Sequence, residues 1–235
     1  MRALSIKGSS VEYKEIYKSI SSDDVESRSD FMCDFETEIS ELSEVFSDAF
    51  KLLEASPCHN DSSTRASTVS GYLALAIESA VTATQLLVLG HVAPAGNSMR
   101  ISYESLCYSA LLKKEVELSV PNGKHKFDFY KDYLNQSAHT KAHKVIDLVV
   151  KNKELLGLNQ GGVDFLVGAK SFYNGYSHSS FLLLHSKIKP STRQLYVAGG
   201  YEKERYDLFS EHLKFMNRYS KNLEGWIKAV AYNAT

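Results

Sequence analysis

The stretch SFYNGYSHSSFLLLHS, residues 171–186, concentrates the side chains best suited to chemistry. Read as a helix, Asn174, His178, Phe181 and His185 recur at spacings of four, three and four, which puts an amide, two imidazoles and an aromatic ring on one face. Phe165, Ala169, Phe172, Tyr176 and Leu183 make a second, core-directed stripe. A helix apolar on two sides needs two partners: its own domain, and either another subunit or a cleft. Imidazole exchanges protons near neutral pH, so this face is a candidate for general acid–base chemistry. The alternative is that His178 and His185 are satisfied histidines lying against a neighbouring helix. Upstream, GNSMRISYESLCYSALL sets Arg100 and Glu104 four residues apart on one helical face. They can form a plain intrahelical ion pair, or Arg100 can serve as a cation beside residue 178 if its helix packs there.

Tyr173-Asn174-Gly175-Tyr176-Ser177-His178 resembles the motif of the HEPN superfamily, in which an arginine, often followed by asparagine or another polar residue, precedes a histidine by about five positions on a late helix of an all-α bundle. Asparagine, spacing and helical setting agree; Tyr173 stands where HEPN ribonucleases carry arginine. The Arg100–Glu104 segment also resembles HEPN-like proteins of bacterial families that pair an Arg-x-x-x-Glu helix with a late helix rich in Tyr, Ser and His. The resemblance covers residues 30–235. It implies a homodimer whose arginine and histidine converge at the dimer interface and cut RNA without metal, with the ribose 2′-hydroxyl as attacking group, in a bacterial defence or stress system. The implied site draws on His178, Asn174, Tyr173, Ser177 and His185, with Arg100 and Glu104. Phosphoryl transfer of this kind needs a proton acceptor, which His178 supplies, and a cation for the charged phosphorane, which Tyr173 cannot supply. A non-catalytic dimerisation or interaction module that has lost the arginine is the second expectation.

Other chemistries find less support. His139 and His143 are four apart and could share a metal, with Asp132, Gln136 and Asp147 as oxygen donors, but no Glu follows the first histidine and no third ligand sits at a diagnostic spacing. Cys33 and Cys107 lie among apolar residues like small buried hydrophobes. The glycine pairs 161–162 and 199–200 form no phosphate-binding loop, so neither a cofactor nor a metal is expected. Lys113, Lys114, Lys124, Lys126, Lys131, Lys141, Lys144, Lys151 and Lys153 cluster around Phe127, Phe129, Tyr130 and Tyr133. That is either an RNA-stacking surface or a solvated helix face with its aromatics in the core.

These groups must be carried by helices. Four Pro and 13 Gly in 235 residues leave few breakers. Six helices are expected: from Ser29 to before Ser56, Ser63 to Leu89, Asn97 to before Pro121, Lys126 to Leu156, Val163 to Lys187 and Lys203 to Ala231. A small β-hairpin is expected near residues 193–205, around Gly199 and Gly200. The fold class is therefore an all-α bundle with one β insertion, a helical domain over 28–235 after an extension of residues 1–27.

Composition bounds the partners. Twenty-seven basic against 28 acidic residues give a net charge of -1, so no global field draws the chain to nucleic acid or anionic lipid. Residues 73–90 are long and apolar enough to resemble a membrane span, but Glu78, Thr82, Thr84 and Gln85 would be costly in lipid and no basic cluster flanks them. No membrane association is expected. Three cysteines without a CxxC pair and no signal-peptide pattern point to a cytoplasmic protein.

Overall fold

A computed structural model of the chain describes residues 13, 14, 17, 25–121, 125–189, 191–193 and 199–232. Apolar residues at helical spacing build α1 (Val25–Glu54), which buries Phe31, Phe35, Leu42, Phe46, Ala49 and Leu53. Ser27, within the anticipated extension, is already buried in its first turn, and its Oγ accepts the Tyr201 backbone N–H. Ser56 caps the short α2 (Pro57–Asn60), whose proline occupies the first turn, where a missing N–H costs nothing.

Ser63 Oγ accepts the Ala66 N–H and starts α3 (Thr64–Val88). This helix is long and apolar enough to cross a membrane by length and composition, and half of its most apolar window is buried inside the protein. It packs between α1 and α4 (Val92–Leu112). Small side chains let α3 and α4 approach: Ser102 Oγ donates to Ala76 O at 2.6 Å and accepts from the Tyr219 hydroxyl at 2.7 Å. Gly90, between the two helices, has φ +76°, and a side chain there would run into the Gly200 backbone.

The bundle is all-α with one small hairpin, as expected. Among the described residues that hairpin lies earlier than anticipated: β1 (Glu117–Ser119) pairs antiparallel with β2 (Lys126–Asp128). Residues 194–198 of the anticipated hairpin lie outside the described residues, and Gly199–Glu202 carries no strand. Asn152 reads the edge of β1, donating to Ser119 O and accepting its N–H.

Two long helices expected from periodicity are broken in mid-course, the one expected to run to Pro121 ends at Leu112 ahead of β1, and the one expected over 203–231 is interrupted at Lys221–Asn222. Where one helix over 126–156 was anticipated, β2 is followed by α5 (Phe129–Leu134), a 3₁₀ turn at Ala138–Thr140 and α6 (Ala142–Asn152). Asp128 caps α5, Gln136 adopts φ +53°, and Ser137 caps the 3₁₀ turn, so the run Asn135-Gln136-Ser137 works as a breaker. The helix anticipated over 163–187 is likewise split into α7 (Gln160–Ser177) and α8 (Phe181–Ser186). His178 and Ser180 are extended, and Ser180 Oγ accepts the Leu183 N–H as the cap of α8. The chain closes with α9 (Tyr206–Ser220) and α10 (Leu223–Ile227), tied to α4 by the Trp226 indole N–H on Leu106 O at 3.2 Å.

Candidate functional site

The site begins where α7 crosses α4. A Cβ at Gly96 would lie 3.0 Å from Tyr176 Cβ, so glycine is what allows the backbones this close. One turn further along α4, Arg100 projects toward the end of α7. Its Nε donates to Glu104 Oε1 at 2.8 Å, and its NH1 lies 3.1 Å from His178 Nε2. A guanidinium only donates, so Nε2 must offer its lone pair and the neutral ring carries its proton on Nδ1. His178 reaches this position because helix geometry stops there: as C-cap, with φ -125° and ψ 160°, it swings its ring away from the axis of α7 and over Arg100.

Around this contact a cleft of about 150 Å³ opens between α4, α6 and α7. Arg100, Tyr103 and Glu104 form one wall, His143 and Ile146 a second, and Lys170, Asn174 and His178 the third. The Arg100 and Glu104 side chains are 26% and 15% exposed, so this pair is far drier than an ordinary surface pair. The Glu104 hydrogen bond outweighs partial desolvation and strengthens the guanidinium's hold on its proton. Lys170 is bridged to Asp147 at 3.2 Å, which links α7 to α6 along the rim. Four side chains that can carry positive charge thus line a cleft with one carboxylate, itself neutralised by Arg100. Chemically, such a cleft can hold a small anion such as one phosphoryl group and can move a proton.

Searches of protein-family models, curated proteins and solved structures find no match.

Of the residues singled out in the sequence, Arg100, Glu104, Asn174 and His178 converge. Tyr173 does not. It is fully buried on the inner side of α7, against Phe172 at 4.9 Å, Phe215 at 5.2 Å and His212 at 6.1 Å between ring centroids. Its hydroxyl has no hydrogen-bond partner among the described residues, and burial pushes the phenol well above its ordinary value. One residue along a helix is a rotation of about 100°, which is why Asn174 lines the cleft and Tyr173 lines the core. Ser177 is half-buried and outside the cleft lining, its Oγ also unpartnered among the described residues. His185 lies apart as well: the break at 178–180 removes Phe181 and His185 from the face of Asn174 and His178. Their rings pack on each other on α8, with centroids 3.9 Å apart.

His139 and His143 separate as well. His139 packs on Phe127 at 5.6 Å, while His143 turns to the cleft. Among the described residues no three His, Cys, Asp or Glu side chains converge as a metal site. Cys107 is buried as expected and so is Cys58, with desolvation raising both thiols, but Cys33 is exposed on α1. The aromatics among the lysines serve packing: Phe127 and Phe129 are buried, Tyr133 bonds Tyr72 at 2.9 Å, and Tyr130 lies under the Arg65 guanidinium. Lys113 is buried, donates to Ala229 O and is pushed down to about 8 by desolvation and by Lys114. Sequence reading missed His143, weighed only as a metal ligand, and Lys170, whose charge carried no signal without the fold.

Proposed function

We propose that the protein acts on RNA as a metal-independent endoribonuclease of HEPN-like type, with its catalytic cation supplied by Arg100 on α4 in place of the arginine that residue 173 lacks. The observation that carries this reading is the 3.1 Å contact between Arg100 and His178 at the edge of a cleft lined by Arg100, His143, Lys170 and His178. When a phosphodiester enters, its oxygens take the Arg100 N–H groups as charge-assisted partners, and the Nε2 lone pair of His178 is released. His178 then accepts the proton of the 2′-hydroxyl as O2′ bonds to phosphorus, while Arg100 stabilises the charge that develops there. The P–O5′ bond breaks, giving a 2′,3′-cyclic phosphate and a 5′-hydroxyl. By the same resemblance the setting is a cytoplasmic bacterial defence or stress system and the active form a homodimer.

The test is cleavage of single-stranded RNA in the presence of EDTA. His178→Gln should abolish it, and Arg100→Ala should lower it by about 100-fold or more. Undiminished cleavage by His178→Gln would sink the assignment.

A second reading, a non-catalytic interaction module, is favoured by one feature. Phe181, Leu182 and Leu184 on α8 are 73%, 53% and 54% exposed, an apolar surface beside the cleft that a partner would cover.

A further inference from the structure

Transfer at phosphorus through a 2′-hydroxyl needs two proton movements, one off the attacking oxygen and one onto the leaving oxygen. His178 accounts for the first. Among the remaining cleft residues, Glu104 is held by Arg100 and the Lys170 ammonium by Asp147. Tyr103 is buried, and desolvation pushes its phenol up. Asn174 has no proton to transfer. His143 remains. It sits in the first turn of α6, in contact with solvent, and makes no hydrogen bond or ion pair among the described residues. The cleft of about 150 Å³ is well below the size of a whole-ligand pocket, and His143 from α6 and His178 from the end of α7 both line it.

We propose that His143 is the general acid of the site, protonating the leaving 5′-oxygen opposite His178; this rests on the ribonuclease reading above. In the step, O2′ forms its bond to phosphorus as its proton passes to His178. The P–O5′ electron pair goes to O5′, which takes the proton held by the His143 imidazolium and departs as a hydroxyl. Afterwards His178 is protonated and His143 neutral, and exchange with water restores both. The two rings are not interchangeable at rest, because Arg100 fixes Nε2 of His178 as an acceptor and nothing fixes His143.

A leaving-group experiment separates the roles. A short single-stranded RNA oligonucleotide is compared with its analogue carrying sulfur at one bridging 5′ position, where the departing thiolate needs no proton. His143→Ala should cut the all-oxygen RNA about 100-fold more slowly or worse, yet cleave the sulfur linkage within a few-fold of the unmodified protein. His178→Ala should be impaired on both. Because His143 is exposed, an unchanged thermal unfolding transition should accompany its substitution. Equal loss on both linkages, or no loss on either, overturns the general-acid role while leaving the ribonuclease reading intact. Failure of the unmodified protein on both linkages overturns the reading itself, and the role of His143 with it.

Discussion

Helix α7 shows two imidazole environments on its opposite sides. Inward, His212 from α9 is fully buried among Phe172, Tyr173 and Tyr176, and neither ring nitrogen has a hydrogen-bond partner among the described residues. Outward, His178 is exposed at the cleft and tied to a guanidinium. Burial without a partner disfavours the charged ring, and the Arg205 charge adds to this, so His212 is pushed down to about 3. Such a ring is packing material with a polar penalty. The outer ring, by contrast, keeps contact with solvent and a polar partner in Arg100. Chemistry on this helix is decided by which side a residue faces.

The sharpest way to break that contrast is to ask the inner face to do the outer face's work. Tyr173→Arg restores the arginine of the HEPN pattern in sequence, but it puts a guanidinium where the side chain is 0% exposed. Unfolding in urea should show a loss of about 3 kcal/mol or more, or no folded protein at all. Near-normal stability together with gained RNA cleavage would mean that residue 173 can turn outward, and the two faces would lose their distinction.

His212 supplies the next test, with a definite sign. The unfolded chain takes up a proton near the ordinary imidazole value of 6.5, whereas the folded protein refuses it until about 3. Stability from this source is therefore complete above 6.5 and is lost as pH falls from 6.5 toward about 3. Other groups titrate on the way, so the variant isolates the effect: His212→Phe should flatten the decline by a few kcal/mol on the order-of-magnitude scale of such shifts, and at neutral pH it should be as stable as the unmodified protein or more so. Arg205, Tyr173 and Tyr176 are the ionisable groups that face the ring, and only Arg205 is charged in this range. An identical acid profile in the variant would show that His212 finds a buried partner.

The same contrast explains what could be read from the chain beforehand. Helix α1 was legible because its apolar residues recur at helical spacing up to Ser56 and Pro57, and α3 because a long apolar run follows the Ser63 cap and ends at Gly90. Arg100, Glu104, Asn174 and His178 were legible because helical spacing put each pair on one face. The breaks were not, since Ser177-His178-Ser179-Ser180 and Asn135-Gln136-Ser137 contain neither Gly nor Pro and stop their helices by side-chain capping, which periodicity overlooks. His143 was legible only as a metal-ligand candidate, because its place in the cleft depends on residues 27 to 43 positions away in sequence that only the fold brings to it.

Within the outer face, the dryness of the Arg100–Glu104 pair can be weighed against a wet counterpart of the same spacing. Lys228 and Glu224 are also paired at i,i+4, but with side chains 57% and 67% exposed. Arg100→Ala leaves a mostly buried carboxylate without its partner and should cost about 1–2 kcal/mol by chemical denaturation. Lys228→Ala should cost no more than about 0.5 kcal/mol. Equal effects would place Arg100 in effectively bulk solvent and remove the physical basis for an enclosed cation.

The smallest effect on folding is expected at α8, and its value lies in what else it reports. Phe181 is 73% exposed, so Phe181→Asp removes almost no buried area and should change monomer stability by about 0.5 kcal/mol or less. If a second copy covers Phe181, Leu182 and Leu184, the same substitution should shift the protein from dimer to monomer in light scattering at micromolar concentration, because a charge would enter the centre of a two-fold interface. RNA cleavage that falls with dimerisation would mean that the cleft beside α8 needs its mate. Dimers that persist in the variant would put the interface elsewhere, and a monomeric unmodified protein would leave the apolar face to a different partner.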